Sequence, residues 1–111
     1  MNPIIERALR RLGITGNYRG YRQLAMALAL VLEDEDRLYS IQREVYQVVA
    51  AELHCNPDTI ERNIRTVLQR VWKTNRAQLN LFAGFDLIEP PKPAEFIDII
   101  ANRIRRSVNV H

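Results

Sequence analysis

The chain has 111 residues, a hydrophobic fraction of 47% and a formal net charge of +3, values that predict one soluble domain over residues 1–111. Its single cysteine, Cys55, excludes an internal disulfide and suits a reducing cytosol. The N-terminus lacks the cleavage site of a secretory signal, and the longest apolar run, Leu24 to Leu32, is about half as long as a membrane span. We therefore expect a cytoplasmic protein with no membrane partner.

The basic residues are almost all arginines, since only Lys73 and Lys92 among the 16 are lysines. An acidic run from Glu33 to Asp36 holds four of the 13 acids, so the rest of the chain is clearly basic. Arginine favours bidentate contacts with phosphates and base edges, and this composition therefore favours nucleic acid as a partner.

The first half of the chain carries clear helix boundaries. Asn2 as N-cap, followed by Pro3, opens a first helix that Gly13 closes. A second helix over about 18–32 is apolar nearly all round, which predicts a central helix packed on most sides. The apolar positions of 37–53 recur at helical spacing after an aspartate N-cap, either Asp34 or Asp36, and fit one long helix or two shorter ones.

The second half repeats these signals. Asn56 and the proline after it open a helix over about 57–73, a short helix ends at Gly84, and a last helix begins at Pro93. Alternation typical of strands and internal repeats are both absent from the sequence. The predicted fold class is all-α, a compact bundle of about six helices containing a helix-turn-helix over about 47–73.

The helix over 57–73 divides into two faces on a helical wheel. One face carries Ile60, Ile64, Val67, Leu68, Val71 and Trp72, and the other carries Asp58, Arg62, Arg65, Thr66, Gln69 and Lys73. A catalytic face would need carboxylates, histidine or serine in a cleft, whereas this row consists mostly of long hydrogen-bond donors. The pattern leaves two readings open: a DNA-contacting face, or a solvated surface with intrahelical pairs of Asp58 with Arg62 and of Glu61 with Arg65.

The stretch QVVAAELHCNPDTIERNI, residues 47–64, matches a helix-turn-helix, with His54 where many such motifs have glycine. The second helix of this motif enters the major groove. Arg62 and Arg65 then pair with guanine, and Glu61 accepts from cytosine. Lys73 and Thr74, near the far end of the helix, hold phosphates.

Other kinds of site find little support in the sequence. His54 beside Cys55 falls short of a metal site because the only other histidine is His111, and the acidic run lacks the spaced ligands of a calcium loop. Cys55 is interpreted as a buried turn residue and Trp72 as part of the core. A phosphate-binding glycine loop and a nucleophile with a base beside it are both missing, so we expect neither an enzyme nor a cofactor.

Four stretches bear a family resemblance: GITGNYRGYRQL at 13–24, TIERNIRTVLQRVW at 59–72, LFAG at 81–84 and KPAEFIDIIANRIR at 92–105. In this order they resemble the C-terminal DNA-binding (effector) domain of the stage 0 sporulation protein A response-regulator family. The resemblance implies a six-helix bundle whose recognition helix begins near Pro57 and reads a short "0A box" in double-stranded DNA. It also implies contact with the RNA polymerase sigma subunit and a head-to-tail dimer on tandem boxes.

Matched residue by residue, Glu61, Arg62 and Arg65 stand where the family has Glu, Arg and Arg facing DNA. Thr59 stands in place of an arginine that helps to read DNA, Thr66 replaces a histidine and Gln47 replaces a proline. We predict that Glu61, Arg62, Arg65 and Thr59 contact bases and that phosphates are contacted by Lys73, Thr74, Thr66, Gln69 and Arg19.

Two functions remain as hypotheses. The first is a sequence-specific bacterial regulator of the sporulation-initiation type, acting at the nucleoid. The alternative is a helical protein-interaction module that keeps the fold but acts through a protein partner. The family's phosphorylatable receiver domain is expected to be absent, because Met1 leads directly into the first predicted helix, so we expect an excised domain or a stand-alone relative.

Overall fold

Helices joined by short connections make up the structure. The computed structural model describes residues 2–109, and His111, considered above as a metal ligand, lies outside them. No strand occurs within 2–109, which confirms the all-α fold class. The α-helices are α1 (Pro3–Arg11), α2 (Tyr21–Glu33), α3 (Gln47–Leu53), α4 (Pro57–Thr74), α5 (Arg76–Ala83) and α6 (Pro93–Asn109).

Side-chain capping hydrogen bonds are present at three of the predicted helix starts. Asn2 and Asn56 each accept the backbone N–H two residues further on at 2.8 Å, and Asp34 does the same at 3.0 Å. A proline follows each asparagine, at the helix position where a missing N–H costs nothing. Gly13 (φ 79°) and Gly84 (φ 87°) adopt the left-handed conformation after α1 and α5.

One helical path connects α2 to α3, and its geometry changes along the way. It runs as a 3₁₀ helix over Glu35–Ser40, as a π-helix over Gln42–Tyr46 and then as α3. The structure therefore matches neither of the two alternatives left open by periodicity. The wider π-helical turns shift the angular positions of side chains relative to an α-helix, which a period of 3.6 residues does not describe.

The start of α2 is set by contact with α4. We predicted a helix from about residue 18, but α2 begins at Tyr21 with Gly20 as N-cap. A Cβ atom on Gly20 would lie 2.6 Å from the backbone oxygen of Asn63 and 2.9 Å from Cγ2 of Val67. Only glycine allows this approach, which fixes the middle of α4 against the beginning of α2.

The core draws on all six α-helices, with α2 central as predicted. Its buried side chains include Leu9, Leu24, Leu28, Val31, Val49, Ile60, Ile64, Leu68, Leu79, Phe82, Phe96, Ile97 and Ile100. The predicted burial of Cys55 was wrong, since its side chain is exposed, whereas Trp72 is half-buried and packs against the core as predicted. None of the helices described is long and apolar enough to cross a membrane.

The end of α6 binds the ends of two other helices. Arginines near the C-terminal end of a helix, such as Arg103, Arg105 and Arg106, can complement the dipole of that helix. Arg105 Nη2 instead donates to the carbonyl oxygen of Val31 in α2 at 2.8 Å, and Arg106 Nη2 donates to that of Phe82 in α5 at 2.9 Å. These carbonyls belong to last turns, whose oxygen atoms lack helical partners.

Candidate nucleic-acid interface

The two faces of α4 lie as the sequence predicted. The five side chains Ile60, Ile64, Val67, Leu68 and Val71 are buried, while Arg62, Arg65, Thr66, Gln69 and Lys73 are exposed on the opposite face. The apolar face of the helix packs into the core. Its polar side is presented to solvent over its full length.

A tight turn joins α3 to α4. His54 adopts a left-handed conformation (φ 56°, ψ 47°) without being glycine, and the N–H of Cys55 donates to the carbonyl oxygen of Ala50 at 2.9 Å. Asn56 then caps α4. Ala50 is buried, as expected where the first helix approaches the second. This arrangement is consistent with a helix-turn-helix.

The carboxylate of Glu61 is held from two sides. Arg65 Nη2 lies 2.8 Å from Oε1, and Gln42 Nε2 donates to Oε2 at 3.1 Å. Gln42 belongs to the π-helical segment and was missed by sequence reasoning, because no periodic signal relates the two segments. Each carboxylate oxygen keeps a free lone pair, so Glu61 is fixed in position and still able to accept a hydrogen bond.

A buried tyrosine lies close to this pair. Tyr46 is 1% exposed, and burial, followed by the negative charge of Glu61, raises its pKa from 10.0 to about 12, while Arg65 acts in the opposite direction. The phenol is therefore neutral at physiological pH. It provides an uncharged support next to the ion pair.

Arg62 differs from Arg65 in having no partner. Its exposed side chain makes no hydrogen bond or ion pair with any residue in the described part of the chain. Of the two intrahelical pairs considered, Glu61 with Arg65 forms, whereas Asp58 with Arg62 does not form between these described residues. Thr59 is half-buried one turn earlier. The donors of Arg62 are left for an external ligand.

The residues predicted to contact phosphates are all on exposed surface, but they are not equally available. Gln69 and Lys73 extend from the solvent face of α4. The hydroxyls of Thr66 and Thr74 donate to the carbonyl oxygen four residues earlier, at 3.0 Å and 2.7 Å. Their hydrogens are thus used within the helix. Arg19 is exposed next to the glycine that packs on α4.

Two arginines outside the predicted set lie on α4 or next to it: Arg70 in α4 and Arg76 at the start of α5. The guanidinium of Arg70 lies 5.0 Å from the ring centroid of Tyr18, and that of Arg76 lies 3.8 Å from the ring of Trp72. Such stacking orients a cation without neutralising it. Among residues 2–109, histidine, cysteine and carboxylate side chains form no group of three or more that could hold a metal ion.

The fold and this surface agree with a known family. A family model described as "Sporulation initiation factor Spo0A C terminal" matches residues 5–104. The chain belongs to this family. The Spo0A C-terminal family consists of DNA-binding regulatory domains of sporulation initiation and is not a family of enzymes. The match includes every predicted site residue, from Arg19 to Thr74.

Proposed function

We propose that this protein is a sequence-specific regulator that reads a 0A-box-like DNA element. In this proposal α3 and α4 form a helix-turn-helix, and the N-terminal half of α4 lies in the major groove. The observation that carries it is the unpartnered guanidinium of Arg62 beside the fixed pair of Glu61 and Arg65. Membership of the Spo0A C-terminal family supports double-stranded DNA as the ligand.

The base-reading roles follow from donor geometry. Arg62 pairs bidentately with O6 and N7 of a guanine, and Glu61 accepts from the amino group of a cytosine. Arg65 donates one N–H to Glu61, and the other donors of its guanidinium remain available to bind a second guanine. Thr59, shorter than the arginine of the family pattern, contributes a methyl or hydroxyl contact, so the consensus differs from the family's own at that position.

Phosphate contacts set the orientation of α4 in the groove. Lys73 and Gln69 contact DNA phosphates near the C-terminal end of α4, and Arg19 contacts DNA phosphates near the middle of the helix. Thr66 and Thr74 take part only when their hydroxyls turn away from the helix carbonyls that they now bind. These contacts add affinity that is independent of sequence and sensitive to salt.

The decisive experiment compares two duplexes by fluorescence anisotropy at two salt concentrations, one with a 0A-type box and one with the same bases scrambled. We expect the box to bind on the order of 10³-fold more tightly. Equal affinity with a steep salt dependence would contradict sequence-specific recognition. No binding at low salt would overturn DNA as the ligand and favour a protein partner.

An exposed apolar surface supports a protein contact made by this regulator in addition to DNA binding. Leu81 in the last turn of α5 is 62% exposed, and Phe85 and Ile88 in the loop that follows are 60% and 96% exposed. Contact with the RNA polymerase sigma subunit, or with a second copy arranged head to tail on tandem boxes, would cover such side chains. Calorimetric titration with an isolated sigma subunit tests it: Phe85→Ser should abolish binding and leave DNA affinity unchanged.

A further inference from the structure

Three arginines converge on a pocket away from the solvent face of α4. The pocket lies between α1 and α6 and has a volume of about 170 Å³. Arg7 and Arg11 line it from α1, and Arg103 lines it from α6. Its remaining wall is largely apolar and includes Phe82 and Ile104. No carboxylate is among the described residues that line it.

Within residues 2–109 these arginines are unpaired, unlike their neighbours in sequence. The side chains of Arg7 and Arg11 make no hydrogen bond or ion pair with any described residue, although Arg10 between them pairs with Glu6 at 3.1 Å. Arg7 and Arg11 are four residues apart on one helix, an arrangement in which like charges repel.

The third cation is held in place by an aromatic ring. The guanidinium of Arg103 lies 5.5 Å from the ring centroid of Phe82 and has no hydrogen-bond acceptor within 2–109. Arg105 and Arg106, its neighbours, bind backbone carbonyls instead. The structure thus concentrates positive charge at this pocket, and no carboxylate within the described part of the chain balances it.

We propose that Arg7, Arg11 and Arg103 form a binding site for a phosphate group. Guanidinium groups match phosphate oxygens with paired N–H bonds, and a doubly charged anion balances the three cations better than a single carboxylate does. The apolar wall lowers the local dielectric and strengthens the attraction. This site is independent of the DNA-reading role proposed for α4.

The first test is a titration of the isotopically labelled protein with inorganic phosphate, followed by NMR at constant ionic strength against chloride. We expect amide shifts concentrated around residues 7, 11 and 103. The double variant Arg7→Ala/Arg11→Ala should weaken phosphate binding roughly tenfold or more, because each lost arginine removes charge-assisted hydrogen bonds. Arg103→Lys, which keeps the charge but loses the planar fork, should also weaken it.

Arg10→Ala is the matched control, since it removes one positive charge from the same helix without touching the pocket. It should leave phosphate binding unchanged. Shifts spread evenly over the basic surface, or equal losses in Arg10→Ala and the double variant, would overturn the site. Circular dichroism of each variant confirms that the helices are intact.

A second measurement distinguishes two sources of the phosphate group. Duplexes with one box and either short or long flanks are compared for the wild type and the Arg7/Arg11 double variant. If the DNA backbone supplies the group, the double variant lowers the salt dependence of binding on the long duplex only. If a phosphorylated small molecule supplies it, the double variant binds both duplexes as the wild type does, but it loses the amide shifts that phosphate causes in the NMR titration.

Discussion

Gln42 and Glu61 are joined by a hydrogen bond of 3.1 Å between Nε2 and Oε2 that spans 19 residues of sequence. The bond links the π-helical segment to α4 at the residue that we assign to cytosine. Together with the contact of 2.8 Å from Arg65, it leaves the Glu61 carboxylate little freedom to rotate. Gln42 is therefore a positioning residue for base recognition in the proposed function.

Removal of this bond should affect selectivity more than stability. In Gln42→Ala, Glu61 is free to pivot about Arg65, and we expect discrimination at the base that it faces to fall by roughly 3- to 10-fold, the equivalent of about 1 kcal/mol. Anisotropy with duplexes changed at single base pairs measures this effect. Gln47→Ala is the control, because Gln47 is exposed on α3 and has no such bond to α4. Equal selectivity in both variants would contradict the positioning role.

Arg62 and Lys73 should behave differently when each is replaced by alanine. Arg62→Ala is expected to cost about 1 to 3 kcal/mol of specific binding and to relax one base position, since it removes a bidentate base contact. Lys73→Ala should weaken all sequences about equally and reduce the salt slope by about one. Binding isotherms on box and scrambled duplexes at several salt concentrations separate the two effects. A uniform loss in Arg62→Ala would show that it contacts phosphate instead.

Gly20 should be intolerant of even one methyl group. A Cβ atom there would lie 2.6 Å from the Asn63 backbone oxygen, so Gly20→Ala must push α2 away from α4 at a cost of about 1 to 3 kcal/mol. Gly16→Ala is the matched control, because nothing lies within 4 Å of the corresponding atom. Urea unfolding of both variants measures the difference. Similar midpoints would contradict the close approach.

Tyr46 should make stability fall at alkaline pH. Its folded pKa of about 12 exceeds the ordinary value of 10.0, so the folded state holds a proton that the unfolded chain releases. The raised pKa stabilises the folded state by roughly 3 kcal/mol below pH 10. This stabilisation is lost as pH rises to about 12. Urea unfolding across this range should show a decline that Tyr46→Phe reduces. Tyr39→Phe, at a residue 88% exposed, should leave the decline in place.

Features that depend on neighbouring residues could be predicted from the sequence. The caps Asn2 and Asn56 act within two residues, and the apolar stripe of α4 follows a regular period, so both agree with the structure. The left-handed conformation at His54 could be suspected from the motif alone, although the residue type does not favour it. The roles of Arg62 and the other site residues remain predictions.

Features that depend on packing between distant segments could not be predicted. Gln42, which reaches Glu61, lies in a segment of π-helical geometry, and neither this geometry nor the contact across 19 residues has a signal in the local sequence. Trp72 belongs to the apolar side of its helix, yet it lies where the core ends, with Arg76 above its ring. Cys55 is small and apolar but faces solvent at the turn.

The adjacent arginines near the end of α6 have a consequence for the order in which the fold is completed. Arg105 and Arg106 bind the last turns of α2 and α5, elements formed from much earlier parts of the chain. The carbonyl oxygens of Val31 and Phe82 therefore lack these partners until residues 105 and 106 have joined the fold. During synthesis, an incomplete chain could hold every hydrophobic core residue and still lack the two contacts that close it.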